Sequence, residues 1–117
     1  MDQSTRIARS FLGQEVQVTV DRPLGSKHPE AGFNYELNYG YVPGTLAPDG
    51  EELDAYLMGV DGPVAEAAGH CVAIVHRLYE DDDKLVVVVT GSSPTDAQIR
   101  EAVRFQEGGR PYEILRD

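Results

Sequence analysis

The chain predicts a mainly β fold of the α+β kind: a small closed or partly closed β-barrel with one helix near its C-terminal end. Three observations carry that expectation. Short β-branched runs recur at strand length, turn residues punctuate them, and only one segment has helical periodicity with both ends marked. So few strands bury a core best by curling, which removes their exposed edges. With 117 residues and 41% hydrophobic content, one core is expected, so residues 1–117 are read as one domain.

Residues 3–12 set Ile7, Ala8, Phe11 and Leu12 at helical spacing, a short leading helix ended by Gly13. In residues 15–22, Val16, Val18 and Val20 alternate with polar side chains at the period of a half-buried strand, which Pro23 and Gly25 end. Pro29 and Gly32 make the next segment a loop that carries Lys27 and His28 to the surface. Residues 33–41 are rich in aromatics and read as a strand or extended turn. Val42-Pro43-Gly44-Thr45 closes them with the Pro-Gly pair of a type II turn. Residues 53–60 form the next strand, turned by Asp61-Gly62-Pro63. Two apolar runs, 71–78 and 85–90, pair as an antiparallel hairpin through the 80–84 loop. Ser93-Pro94-Thr95-Asp96 then supplies an N-cap, a proline at the first helical position and an acid in the first turn. Ile99, Ala102, Val103 and Gln106 share one face of that helix, and Gly108-Gly109 and Pro111 stop it.

Charge narrows the function. Twenty acids against ten Lys and Arg give a formal charge of −10, which argues against nucleic acid or an anionic membrane held on a basic face. No apolar run approaches the ~20 residues that cross a bilayer, and the start does not read as a signal peptide, so a cytoplasmic protein is expected. Cys71 lies in an apolar run and, as the single cysteine, reads as a small core residue.

The chemistry concentrates in Asp49-Gly50-Glu51-Glu52-Leu53-Asp54, which sets the signature acids Asp49, Glu51 and Asp54, with Glu52 among them, within six residues just after Asn38-Tyr39-Gly40-Tyr41. Carboxylates crowded like this repel one another unless a hard cation sits among them. A second cluster, Glu80-Asp81-Asp82-Asp83, ends in Lys84. Two acid clusters with a lysine suggest divalent ions that bridge to an anionic substrate, and the acidity of the chain then follows from metal dependence. An EF-hand at 49–61 fails, because its sixth position is Asp54 where glycine is required and the flanks read as strands. On a regular strand Asp49 and Glu51 point one way and Asp54 the other, so a distortion near Gly50 is expected.

These motifs resemble the soluble Mg-dependent inorganic pyrophosphatases, of which the chain looks like a shortened, divergent member. The likeness runs over residues 14–90 and rests on the Tyr-Gly-Tyr segment, the acid-x-acid-x-x-acid signature and the Asp82-Asp83-Lys84 strand entry. It implies an OB-like five-stranded barrel with both acid clusters at one mouth, and hydrolysis of pyrophosphate to two phosphates by a metal-activated water. The implied cofactor is Mg²⁺, or Mn²⁺ in its place, and the implied assembly a homo-oligomer. By the same resemblance Asp49, Asp54 and Asp82 are metal ligands, with Glu80 standing in for a further acid and Asp81 close behind. Tyr39 donates to metal-bound water or phosphate, Lys84 binds phosphate, and Glu51 stands where the family has the aspartate that prepares the attacking water. That is a departure of one methylene. A shift of ~1 Å at such a position can cost ~100-fold in rate.

The basic residues diverge more. Most of the family's substrate-binding hairpin is missing, and the C-terminal region has Arg110 and Tyr112 but no Tyr-Lys pair. Arg22 resembles an Asp-Arg pair of the family, whereas Lys27 keeps the family arginine's distance from Tyr39. Both assignments cannot hold, and Lys27 with His28 is the preferred phosphate contact. His76 reads as structural, His70 as an inert turn residue and Tyr41 as barrel packing. Three functions remain open: a pyrophosphatase, the same metal site acting on another small phosphoanhydride or phosphate ester, and a non-catalytic Mg²⁺- or phosphate-binding barrel.

Overall fold

A computed structural model describes residues 3–116. The described elements are α1 (Gln3–Arg9), β1 (Glu15–Arg22), β2 (Asn38–Val42), β3 (Leu53–Met58), β4 (Glu66–Arg77), β5 (Lys84–Val88), α2 (Asp96–Glu107) and β6 (Tyr112–Leu115). Strands β1, β2, β3, β5 and β4 pair in that order, and β4 returns to β1, so five strands close into a mixed barrel. The expected barrel and C-terminal helix are therefore present. A sixth short strand, β6, adds to the far end of β4. It was not foreseen, and neither was the first part of β4, where Glu66 to His70 lie antiparallel to β1. His70 is thus a strand residue and not part of a turn.

Sequence explains the barrel strand by strand. In β1, Val16 and Val18 point into the core while their neighbours face outward. In β5 every residue from Lys84 to Val88 is buried, because the strand has cover on both faces. Leu85 and Val87 pack inside the barrel with Val18, Leu53, Leu57 and Ile74. Val86 packs on the other face with Tyr56, Ala73 and Val75 beneath Ile99 and Val103 of α2. Burying one such side chain fully is worth ~1.5–3 kcal/mol, so α2 is held mainly by Ile99 and Val103.

Helix α2 begins two residues later than the proline suggests. Thr95 is the N-cap: its hydroxyl accepts from the Gln98 amide, and the Gln98 side chain accepts from the Thr95 amide. Gly40 explains its motif. A Cβ there would lie 1.9 Å from the Thr19 carbonyl oxygen, so only glycine lets β2 approach β1 between Tyr39 and Tyr41. Gly44 has φ +83°, as the third residue of a type II turn requires.

The acids of the loop joining β4 to β5 divide between two sets of partners. Asp81 accepts from the Ser4 hydroxyl and from the amides of Gln3 and Ser4, which ties it to the start of α1. The Ser4 bonds hold its carboxyl below the usual pKa. Asp83, fully buried, meets Thr5, His76 and the Arg77 amide. Glu80 and Asp82 turn instead toward Arg77 and Lys84. The acid run is not an idle hairpin tip.

Candidate active site

Parallel pairing of β3 with β5 builds the centre of the site. Ala55 lies opposite Leu85, which sets Asp54 and Lys84 side by side at the start of the two strands. The Lys84 ammonium is almost buried and lies 2.8 Å from Asp54 Oδ2 and 2.9 Å from Asp82 Oδ1. The Tyr39 hydroxyl donates to the same Asp54 oxygen at 2.7 Å, and Tyr39 reaches it because it follows Asn38 on β2, directly beside β3. Burial, reinforced by the Asp54 charge, pushes the Tyr39 phenol well above its ordinary pKa. Tyr39 is therefore a hydrogen-bond donor and not a base.

Two cavities meet at this group. A cleft of about 500 Å³ is lined by the cationic residues Arg22, Arg77, Lys84 and Arg110, the rings of His28, Phe33, Tyr35, Tyr39 and Tyr79, and the acids Asp21, Asp54 and Glu80. An adjoining cavity of about 330 Å³ is lined by Asp21, Tyr41, Asp49, Glu51, Glu52 and Asp54, with no basic side chain. Asp21 and Asp54 border both. Burial raises the Asp21 pKa, and the nearby Asp54 and Glu52 charges raise it further while Arg22 lowers it.

The candidate residues fall into these spaces unevenly. Asp49 and Glu51 are not on a strand; they lie in the turn before β3, where Gly50 has φ +86° and Asp49 Oδ1 accepts the Glu51 amide. That turn is the distortion expected near Gly50, and it brings Asp49, Glu51 and Asp54 to one cavity. Tyr41 lines that cavity too, in place of the barrel packing expected for it. Asp82 and Glu80 are engaged by cations: Asp82 by Lys84 and Arg77, and Glu80 by Arg77 at 2.7 Å. Arg22 and His28 line the cleft, whereas Lys27 is not among its lining residues and its backbone instead bridges to Asn34. His28 Nδ1 accepts from the amides of Glu30 and Ala31, so its ring proton resides on Nε2.

Sequence reasoning passed over Asp21, Tyr35, Tyr79 and above all Arg77. The last stands at the end of β4 with its guanidinium forked onto Glu107 of α2, at 3.0 Å from Nε to Oε1 and 2.9 Å from Nη2 to Oε2. Burial disfavours the charge on Arg77, but the Glu107 hydrogen bonds and charge outweigh it and raise its pKa. Glu107 is wholly buried and also accepts from the Tyr56 hydroxyl at 2.5 Å, which in turn accepts from Gln106. Burial first, and Glu107 second, push the Tyr56 phenol well upward. No local pattern announces a pair thirty residues apart. A lone arginine next to a histidine inside an apolar strand was the available hint.

The donor set of the second cavity is all oxygen, which suits a hard divalent cation of the Mg²⁺ or Mn²⁺ kind. As placed, no three Asp, Glu, His or Cys side chains among the described residues converge into a cage. The cavity therefore offers donors and not a finished cage, and Mg²⁺ commonly needs only one or two carboxylates because it keeps several waters.

The fold is a closed five-stranded barrel with acids and cations meeting at its rim. Residues 10–108 match the family model for inorganic pyrophosphatase, and the chain belongs to that family. An inorganic pyrophosphatase of Sulfolobus acidocaldarius is 29% identical over 98 residues, covering 80% of this chain and 53% of the relative. The chain thus spans about half the length of that relative. Among solved structures, the inorganic pyrophosphatase from Ehrlichia chaffeensis superposes with a TM-score of 0.69 at 17% identity, over 90% of this chain and 87% of that one. The Neisseria gonorrhoeae inorganic pyrophosphatase gives 0.64 at 22% identity, over 82% and 73%. At these identities the structural likeness speaks for the fold. Among the described residues, no helix is long and apolar enough to cross a membrane.

Proposed function

We propose that the chain hydrolyses inorganic pyrophosphate to two phosphates with a water activated by divalent metal. One observation carries the reading: Tyr39, Asp54, Lys84 and Asp82 form a single bonded group where a cation-lined cleft meets an acid-lined cavity. Asp49 and Asp54, with Asp21 beside them, would hold Mg²⁺ or Mn²⁺, and Asp82 and Glu80 are the candidates for a further ion. Such an ion makes bound water more acidic and withdraws charge from the phosphoryl group.

The remaining work falls to the chain. Lys84, Arg22 and Arg110 neutralise phosphate oxygens, His28 offers its Nε2 proton, and Tyr39 donates a hydrogen bond without losing its own proton. Glu51, across the shared Asp54 from the cations, is the candidate to orient the attacking water. Positioning and charge stabilisation supply most of the catalysis in phosphoryl transfer. The test is phosphate release from pyrophosphate with Mg²⁺, against an Asp54→Asn control. Release by the wild type and not by the variant is expected, and no release from any phosphoanhydride would leave only a binding barrel.

A second reading keeps the metal site and changes the substrate to another small phosphoanhydride or phosphate ester. It is favoured by a specific feature: Lys27 does not line the cleft, while His28, Phe33, Tyr35 and Tyr79 do, and such rings tolerate a substituent on phosphate. Release from nucleotides but not from pyrophosphate would select it. The family reading also carries a cytoplasmic homo-oligomer; light scattering after size exclusion tests the assembly, and a monomer at working concentration would remove that part.

A further inference from the structure

We propose that Arg77 is a phosphate-binding residue of the cleft and that Glu107 is its positioning residue. The inference deepens the reading of the cleft as a diphosphate site and rests on it. Three carboxylates surround this one guanidinium, and they differ in kind. Glu107 has no exposed surface, is bonded to Tyr56 as well, and takes the Nε and Nη2 edge in a two-point fork. Glu80 and Asp82 meet the Nη1 edge, at 2.7 and 3.3 Å, and are 46% and 31% exposed.

One edge of Arg77 is thus fixed and the other is exchangeable. A planar guanidinium gripped by two parallel hydrogen bonds keeps its orientation, so Nη1 is aimed before any ligand arrives. Among the described residues, phosphate oxygens entering the cleft compete at Nη1 with two partly solvated carboxylates. The Glu107 fork need not open, and leaving that carboxylate buried without Arg77 would be costly. Arg77 also lines the same cleft as Lys84, so both cations are available to a single bridging anion.

A purely structural alternative has the pair doing no more than fastening α2 to β4. Both roles predict that the fork matters for stability, so the experiment reads binding. Methylenediphosphonate, which has no hydrolysable bridge, is titrated with Mg²⁺ into wild-type protein while the Arg77 Nε–H resonance is followed by NMR, with exposed Arg104 as internal control. Affinities are then measured for Arg77→Lys and Glu107→Gln, with near-ultraviolet dichroism reporting their folding.

The Arg77 resonance is expected to shift saturably with the calorimetric Kd while Arg104 stays still. Arg77→Lys should weaken binding roughly 10- to 100-fold, the range for a charge-assisted contact, and Glu107→Gln by less, about threefold to tenfold. An unmoved Arg77 resonance at saturation overturns the proposal, as does a folded Arg77→Lys protein that binds like wild type. If that variant does not fold, the wild-type resonance decides alone. Failure of the wild type to bind the diphosphonate removes the diphosphate reading and this inference together, whereas binding that leaves Arg77 untouched removes only the inference.

Discussion

The cleft and the acidic cavity share Asp21 and Asp54, yet they handle charge in opposite ways. On the cleft side each central carboxylate has a cation in contact: Asp54 and Asp82 meet Lys84, and Glu80, Asp82 and Glu107 meet Arg77. On the other side Asp21, Asp49, Glu51 and Glu52 face one another across a space with no basic residue in its lining. The paired side is preorganised by its own side chains. The unpaired side has room for a positively charged ion, and on the proposed reading that is where a chain of charge −10 takes up its divalent metal.

Asp54 is the hinge of this comparison, and changing it should have the largest effect. Asp54→Asn removes a donor from the acidic cavity and the central partner of both Tyr39 and Lys84. Phosphate release should fall by at least ~100-fold, since ligand position and electrostatics fail together. Activity within tenfold of wild type would mean that the two cavities do not work as one site.

Lys84→Met separates the two sides more sharply. It deletes a buried cation that both Asp54 and Asp82 contact, so diphosphate binding should weaken by roughly 10- to 100-fold. Mg²⁺ affinity should be unchanged or higher, because the carboxylates lose their competitor. Calorimetry with each ligand in turn checks both signs, and parallel losses of metal and diphosphate would break the division drawn above.

The same contrast shows what could be read from the chain. Features set by neighbouring residues were legible: the valine alternation of β1, the existence of α2 with its start placed two residues early, the β4–β5 hairpin, and the Tyr-Gly-Tyr and acid motifs. Features set by distant pairing were not. Residues 66–70 carry no apolar alternation, and they become strand because β1 lies beside them and satisfies their backbone. The four residues of β6 follow helix-stopping glycines and join the end of β4. The parallel match of β3 to β5, which sets Lys84 against Asp54, leaves no trace in local spacing. The acidic side of the site was therefore visible, being written in one short stretch with its turn glycine. The cationic side gathers Arg22, Arg77, Lys84 and Arg110 from four parts of the chain; the sequence named Lys84 and Arg22, preferred Lys27, which does not line the cleft, to Arg22, and passed over Arg77.

Glu51→Asp addresses the acidic side alone. It restores the shorter side chain that the family resemblance implies and withdraws the carboxylate by about one bond length. If Glu51 prepares the attacking water with its present reach, kcat should fall about tenfold or more with KM and diphosphonate binding little changed. A rise in kcat would show that the longer side chain is the poorer fit. No change in either constant would take Glu51 out of the reaction.

Asp21→Asn should give the smallest effect, and its sign is the most telling. Burial and the Asp54 and Glu52 charges raise the Asp21 pKa above 3.8, outweighing Arg22, so its ionised form is disfavoured in the folded protein. A carboxyl with a raised folded pKa favours folding while it is protonated, below the unfolded value, and that contribution is lost as pH climbs through the folded value. At neutral pH the metal-free wild type therefore bears a small penalty that asparagine removes. The gain should be no more than about 0.5 kcal/mol, because the burial of Asp21 is only partial and solvent still screens it. Urea unfolding at pH 7 and again near pH 3 measures it, and the difference between the proteins should shrink at the lower pH. Added Mg²⁺ should reverse the order, since a cation in the cavity stabilises the ionised wild type more than the variant. Equal stabilisation of both by Mg²⁺ would show that Asp21 borders the ion's cavity without contributing to it, and would confine the donors to Asp49, Glu51, Glu52 and Asp54.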